Sequence, residues 1–497
     1  MTIDLQSTSN RSMKALGLSF ILALIHQYLF YGIEPGIAYP AFVILIYVVL
    51  FLYVKAPMLH APRISWLLMA AIVMLSMTYL LFNNPFFYAL NLVAVPSLFF
   101  LHMTLLFGSA YKGWADFRLI ASTLDHLIPQ NVRHWFTAFG IIKSSAGSRM
   151  GDHRKVVVKK ISIGLTIAVP LLLVILNLLA SADHVFNDLL SGIPEWMDNV
   201  SLGGGIGRLV WTCLVCLFLF GYLWGFVEPR KVLTEQASAE ENRVKAGFRI
   251  DPIIMATVLV AINLVYVLFV AVQFSYLFGV LEGALPEGSS YAEYARSGFF
   301  ELLTVSILNF IIMLATLVYG EQGTDLLQKI IKGLLYVLLI CSAIMLYSAY
   351  MRLVLYEEAY GYTYIRFLVH AFMIYLGLLL IVAGLRIAFK ALPTAKIYIV
   401  ISLVAYVVVN YAGMDQVIAT KNIERFRDSG KIDTAYLRNL STDAASVLIR
   451  FSREEHPVMA NELRRNLADP SRDNRAWQSF NLSRFRAERA LERYFSE

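Results

Sequence analysis

Eight side chains stand where the surrounding sequence is almost entirely apolar: Glu293, Arg296, Glu301, Arg352, Tyr356, Glu357, Arg366 and His370. Glu293 and Arg296 are three apart, a spacing that pairs them on one helical face. Glu301 follows in the first turn of a long apolar run, with Thr304 a turn below it and Asn309 and Thr316 continuing a polar side. Arg352, Tyr356 and Glu357 come together at the end of another run, where Gly361 breaks the helix. Thr363 can cap the next helix, whose first face carries Arg366 and His370 four apart. A charge at membrane depth costs about 2.5–3.5 kcal/mol on insertion scales, so each of these asks for a reason. The acids Glu293, Glu301, Glu357 and Glu358 balance Arg296, Arg352 and Arg366, and an ion-pair network closing three helix ends is the economical reading. The alternatives are a substrate or proton path, with Glu301 as coupling carboxylate and Arg352 and Arg366 at an outer vestibule, and docking of a partner.

Other chemistries lack their residues. There is no GxxxxGK[ST] phosphate loop, no HExxH and no GxSxG. The glycine-rich Ser201–Gly207 lacks the preceding strand that a nucleotide site requires. Cys213 and Cys216 form a CxxC inside an apolar run with neither a second pair nor a nearby His, and read with Cys341 as small packing residues. Glu357-Glu358 resembles the paired glutamates of intramembrane proteases, but position 362 is Tyr and Arg366 comes too late. No catalytic residue, metal or cofactor is therefore expected, and the chain reads as a non-enzyme.

The elements that must position these groups are set by composition. Of 497 residues, 58% are hydrophobic and 15% charged, and mean hydropathy is +0.63. Soluble domains carry about 25% charged residues, and a bilayer core needs ~20 apolar helical residues per crossing. Eleven such spans are expected, near 15–31, 37–54, 64–82, 86–108, 161–180, 206–227, 252–276, 299–319, 333–351, 364–385 and 397–414. The expected fold is an all-α polytopic transmembrane bundle over residues 1–414, followed by a small helical tail over 415–497. Lys and Arg alternate from loop to loop. The Ser109–Lys160 loop carries nine against three Asp, while Ser181–Gly205 carries four acids and no Lys or Arg. The positive-inside rule then places the N-terminus in the cytoplasm and, after an odd number of spans, the tail outside. The net charge of +7 follows from that bias and implies no nucleic-acid partner.

Within the 109–160 loop, Asp116–Ile128 repeats Phe117, Ile120, Leu124 and Leu127 or Ile128 at helical spacing and is expected to lie in the headgroup layer. Arg149, Arg154, Lys155, Lys159 and Lys160 just before a span would favour anionic lipid at the cytoplasmic face, although a topology determinant without lipid specificity is the favoured reading of the loop. The dispersed His26, Gln27, Asn91, His102, Asn177, Asn263, Gln273 and Asn410 are expected to hydrogen-bond between helices. In the tail, Gly430 closes one helix, Asp433 and Ser441-Thr442-Asp443 begin others, and a longer helix is expected around Arg475–Phe495.

Tyr276-Leu-Phe-Gly279, Tyr291-Ala-Glu-Tyr-Ala-Arg-Ser-Gly-Phe-Phe300 and Arg352-Leu-Val-Leu-Tyr-Glu-Glu-Ala-Tyr-Gly-Tyr-Thr-Tyr-Ile-Arg366 resemble a bacterial family of multi-pass membrane proteins. It is the domain-of-unknown-function 4173 family, related to the 4153 family, and Gly430-Lys-Ile-Asp433 and Tyr436-Leu437 of the tail resemble it too. Val280 and Tyr362 depart from the family pattern. The resemblance implies a bacterial inner-membrane location and brings no activity, cofactor or catalytic residue. Two functions stay open: translocation of a small solute or ion, and a non-enzymatic signalling or envelope-assembly role in which the outer tail senses or binds a protein partner.

Overall fold

A computed structural model describes residues 2–54, 62–107, 114–146, 203–228, 250–281, 299–320, 324–467 and 476–496. The bundle runs through α1 (Thr2–Phe30), α2 (Ala38–Val54), α3 (Arg63–Leu81), α4 (Pro85–Phe107), α5 (Phe117–Asp125), α6 (Asn131–Ala146) and α7 (Gly203–Val227). It continues through α8 (Pro252–Leu281), α9 (Phe299–Tyr319), α10 (Asp325–Tyr360), α11 (Tyr364–Ala388) and α12 (Thr394–Tyr411). Among the described residues, nine of these are long and apolar enough to cross a membrane, and α2 is apolar but shorter. The expected span at 161–180 lies outside the described residues. The architecture is a polytopic helical bundle, as its composition requires.

Helix ends alternate between two faces. At one face the ends of α1 and α3 meet the starts of α4 and α7: the Arg208 guanidinium lies 5.6 Å from the Tyr31 ring centroid, and Tyr79 Oη donates to the Tyr88 carbonyl. At the other, the Ile250 N–H donates to the Tyr319 carbonyl, Lys390 Nζ donates to Gln328 Oε1, and Lys396 lies over the Trp114 ring. Three apolar clusters hold the spans together among the described residues, and the smallest joins α1, α6 and α7 through Ala15, Ala138, Phe220 and Trp224. A second joins α8–α11 through Leu259, Met313, Leu338, Met345 and Ala349. The third joins α2, α3, α4, α7 and α12 through Ile72, Leu75, Val95, Met103 and Leu223.

α10 is 36 residues long, which at ~1.5 Å per residue exceeds a ~30 Å hydrocarbon core. The expected span 333–351 is only its middle. Asp325, Gln328, Lys329 and Lys332 extend it at one end, capped by Thr324, whose side chain accepts from the Leu327 N–H. At the other end Gly361 takes φ +81° and ψ 175°, an extended positive-φ backbone that is essentially glycine-only, and ends the helix where the sequence indicates. Thr363 stands at the N-cap of α11 but its side chain makes no cap bond, contrary to expectation.

α5 is amphipathic, with an exposed apolar side. Asp116 caps it, and Phe117, Ile120, Leu124 and Ile128 are all exposed along one side. The turn that follows it and the start of α6 are fixed to the end of α7: His126 Nε2 bonds the Tyr222 carbonyl, Gln130 Nε2 donates to the Gly225 carbonyl and His134 Nε2 bonds the Glu228 carbonyl. Burial lowers the pKa of both His126 and His134, so the neutral tautomers that donate to these carbonyls are favoured.

The tail folds as a module of five helices, α13 (Met414–Ser429), α14 (Thr434–Arg438), α15 (Ala445–Glu454), α16 (Val458–Leu467) and α17 (Leu482–Ser496). Gly430 ends α13 in the left-handed region and Asp433 caps α14, as read from sequence. The final helix starts later than expected, at Leu482, because Trp477–Ser479 forms a separate 3-10 turn. Ile418, Leu437, Leu448, Phe451 and Leu491 make the module's core, which is continuous with Phe87 of α4.

Candidate functional site

The module seats on the bundle through buried polar side chains, and these converge on the turns α3–α4 and α10–α11. Asp415, in the first turn of α13, is completely buried. Its carboxylate accepts from Asn84 Nδ2 at 2.5 Å, from the Ser441 N–H at 3.1 Å and from the Tyr364 hydroxyl. Three separate pieces of chain therefore donate to one buried anion, the arrangement that makes burial of a carboxylate tolerable. Beside it Asp443 accepts the Asn83 N–H at 2.9 and 3.1 Å. Burial, reinforced by the nearby Asp415 charge, pushes the Asp443 carboxyl up to about 6. Asn481 Nδ2 donates to the Tyr79 and Phe82 carbonyls, closing the open end of α3.

The α10–α11 turn is clamped from the same helix. Asn422 pairs with both backbone groups of Tyr362, accepting from its N–H at 3.0 Å and donating to its carbonyl at 2.9 Å. Arg425 donates to the Glu358 and Ala359 carbonyls at 2.8 and 2.6 Å, capping the C-terminal end of α10. Gly361 makes the approach possible, since a Cβ there would lie 2.5 Å from Asn422 Oδ1.

One turn below the clamp lies the part of the site that the sequence indicates. Glu357 is completely buried and accepts from His370 Nε2 at 2.6 Å. Arg366 stacks on the Tyr356 ring, 4.2 Å from its centroid, and donates to the Gly361 carbonyl. Burial and the neighbouring Glu357 carboxylate push the Tyr362 phenol up to about 12. Arg352 lies on the same helix, half-buried. Glu301 is exposed in the first turn of α9, and Glu293 and Arg296 lie outside the described residues.

The dispersed polar residues act between helices. His102 is held between the Tyr47 and Ser65 hydroxyls at 2.8 and 2.6 Å. Asn91 donates to Asn410 Oδ1 and accepts from Tyr406, tying α4 to α12. Asn263 donates to the Leu334 carbonyl across α8 and α10. Asn177 lies outside the described residues, as does the Gln273 side chain. The three cysteines are free thiols, two of them buried.

Elsewhere, an apolar cavity of about 710 Å³ lies between α1, α2, α4 and α7. His26, Phe42, Pro96, Trp211 and Leu219 line it, and Trp211 Nε1 donates to His26 Nδ1 at 3.3 Å. No cluster of metal-ligating side chains occurs among the described residues.

Sequence reasoning missed Asp415, Asn422, Arg425, Asp443 and Asn481, because each stands in polar sequence where a solvated surface is the ordinary expectation. The Asn83-Asn84-Pro85 turn between two spans was the available signal.

The family described as Domain of unknown function (DUF4153) matches residues 69–451, from α3 through α15. The chain belongs to that family. The match thus falls on the relative of the 4173 family and includes the α10–α11 turn and the first part of the module. Neither the curated proteins nor the solved structures contain a match to this chain.

Proposed function

We propose that this membrane protein is a non-catalytic signalling or assembly component, in which engagement of a protein partner by the terminal module is passed to α10 and α11. The observation that carries this reading is the clamp of Asn422 and Arg425 on the α10–α11 turn. A module held by side-chain bonds to both ends of one turn cannot shift without shifting that turn, one helical turn from Glu357 and His370. The positive-inside bias supports a plasma-membrane location with the module outside. The likeness of Arg352–Arg366 to the 4173 family supports a bacterial setting and adds no chemistry.

Translocation is the second reading, favoured by the buried Glu357–His370 pair, since ionisable groups at span ends mark proton and solute paths. Burial moves the coupling role from the exposed Glu301 to Glu357 in that case.

The test replaces exposed Arg450 of the module by a photo-crosslinking residue in cells, and follows amide exchange over residues 355–366 in the purified protein. The coupling reading expects a discrete cross-linked protein, and exchange over 355–366 that changes when that protein binds and no longer changes in Asn422→Ala/Arg425→Ala. Solute or proton flux in proteoliposomes that survives the double substitution but disappears in Glu357→Gln would instead establish translocation.

A further inference from the structure

The cavity between α1, α2, α4 and α7 needs an occupant. It lies among membrane-spanning helices and, among the described residues, its walls are overwhelmingly aliphatic and aromatic. A polar solute entering it would lose its hydration without finding partners. Water does not fill apolar cavities either. An apolar cavity of this size, partly open to its surroundings, takes up the apolar medium that borders it. Hydrocarbon is what remains, and the bilayer around the bundle supplies it.

The shape of the site agrees. On α7 the lining runs from Trp211 to Leu223, a rise of ~18 Å at ~1.5 Å per residue, a substantial part of a ~30 Å hydrocarbon core. Pro96 bears on the cavity from the middle of α4, where its missing N–H leaves the helix free to bend away from its neighbours. The volume also lies within the ~300–1,000 Å³ of ordinary ligand sites.

One end carries charge. Arg208 is one turn from Trp211 on α7, exposed, with its guanidinium over the Tyr31 ring. Gly207 lets that ring approach, since a Cβ there would meet Tyr31 Oη at 2.5 Å. Tyr28, Tyr31 and Trp211 mark the same level as the interfacial aromatics of membrane proteins. Glu34 of the α1–α2 turn is highly exposed and lies 3.9 Å from the Arg484 guanidinium. We infer that this cavity takes up one acyl chain of an anionic membrane lipid, with its phosphate head against Arg208.

The experiment places the full chain in phosphatidylcholine nanodiscs carrying a trace of phosphatidylglycerol with a photoactivatable diazirine in one acyl chain, or of phosphatidylcholine labelled in the same way. Adducts are mapped by peptide mass spectrometry. The phosphatidylglycerol probe is expected to label lining peptides of α1, α2, α4 and α7 several-fold above the exposed α8 surface at Leu264, Val265 and Leu268. The phosphatidylcholine probe is expected to do so less, and Arg208→Gln should bring the two probes to parity. Leu219→Trp, which fills the cavity, should reduce lining adducts several-fold and leave α8 adducts unchanged in protein that stays monodisperse. Equal labelling of the cavity and the α8 surface would overturn the proposal. Equal labelling of the wild-type cavity by both probes would overturn the anionic head group. The wild-type map and Arg208→Gln decide the question even if Leu219→Trp does not fold.

Discussion

Glu357 and His370 show what a single pair of residues must do inside an apolar bundle. The carboxyl group is fully buried and one of its oxygens accepts from His370, which offsets part of the loss of water. Removing one partner leaves the other unsatisfied, at about 1–3 kcal/mol. His370→Leu and Glu357→Leu should each lower thermal stability by that order. The double substitution should lie nearer to the wild type than either single one, because an apolar pair strands no polar group. A thermal-shift double-mutant cycle checks this, and strictly additive losses would show that the pair is not coupled. Asp443 makes a different prediction. Its folded-state pKa, about 6, is above the ordinary carboxyl value, so protonation favours the docked module. Its contribution is fully present below about pH 4, the value for an unfolded aspartate, and is lost as pH rises through about 6. Asp443→Asn, which resembles the protonated acid, should therefore flatten the stability profile between pH 4 and 7. An unchanged slope would assign the titration to another group.

At the scale of the element, Gly361 ends α10 and admits Asn422. An alanine there meets two penalties, a positive-φ backbone and a Cβ 2.5 Å from Asn422 Oδ1. Gly430 also has a positive φ, of +68°, but open space around it. Gly361→Ala should destabilise by more than the ~1 kcal/mol expected of Gly430→Ala, and hydrogen exchange over 358–364 should rise only in the former. Equal losses would show that the turn tolerates displacement of Asn422. The sequence signalled the end of α10 because glycine after a long apolar run is a local feature. It did not signal the helix's full length, since Asp325, Gln328, Lys329 and Lys332 extend it in polar residues that hydropathy does not register. Most spans and the fold class were legible for the same reason that Asp415 was not. Span length depends on neighbours in sequence, whereas the donors of Asp415 lie at Asn84, Tyr364 and Ser441 and only the folded chain assembles them.

At the scale of the whole molecule, the module covers one face of the bundle and shares it with the α1–α2 turn, where the Ile37 N–H donates to the Phe480 carbonyl. Lys390 and Gln328 mark the opposite face. In a cysteine-free background, an impermeant maleimide applied to intact cells should label Glu34→Cys and Arg450→Cys and spare Lys390→Cys. Labelling of Lys390→Cys together with Arg450→Cys would break the two-face arrangement. The contacts of Asn481 carry a consequence for how the chain is made. Its carbonyl partners at Tyr79 and Phe82 are about 400 residues earlier, so the ribosome adds that whole stretch after α3 before the seam can shut. Until then the end of α3 waits uncovered, and a stop codon in place of Gln478 leaves it so permanently. Such a truncated chain should be inserted and then cleared by membrane proteases, with pulse-chase decay faster than that of the full-length protein.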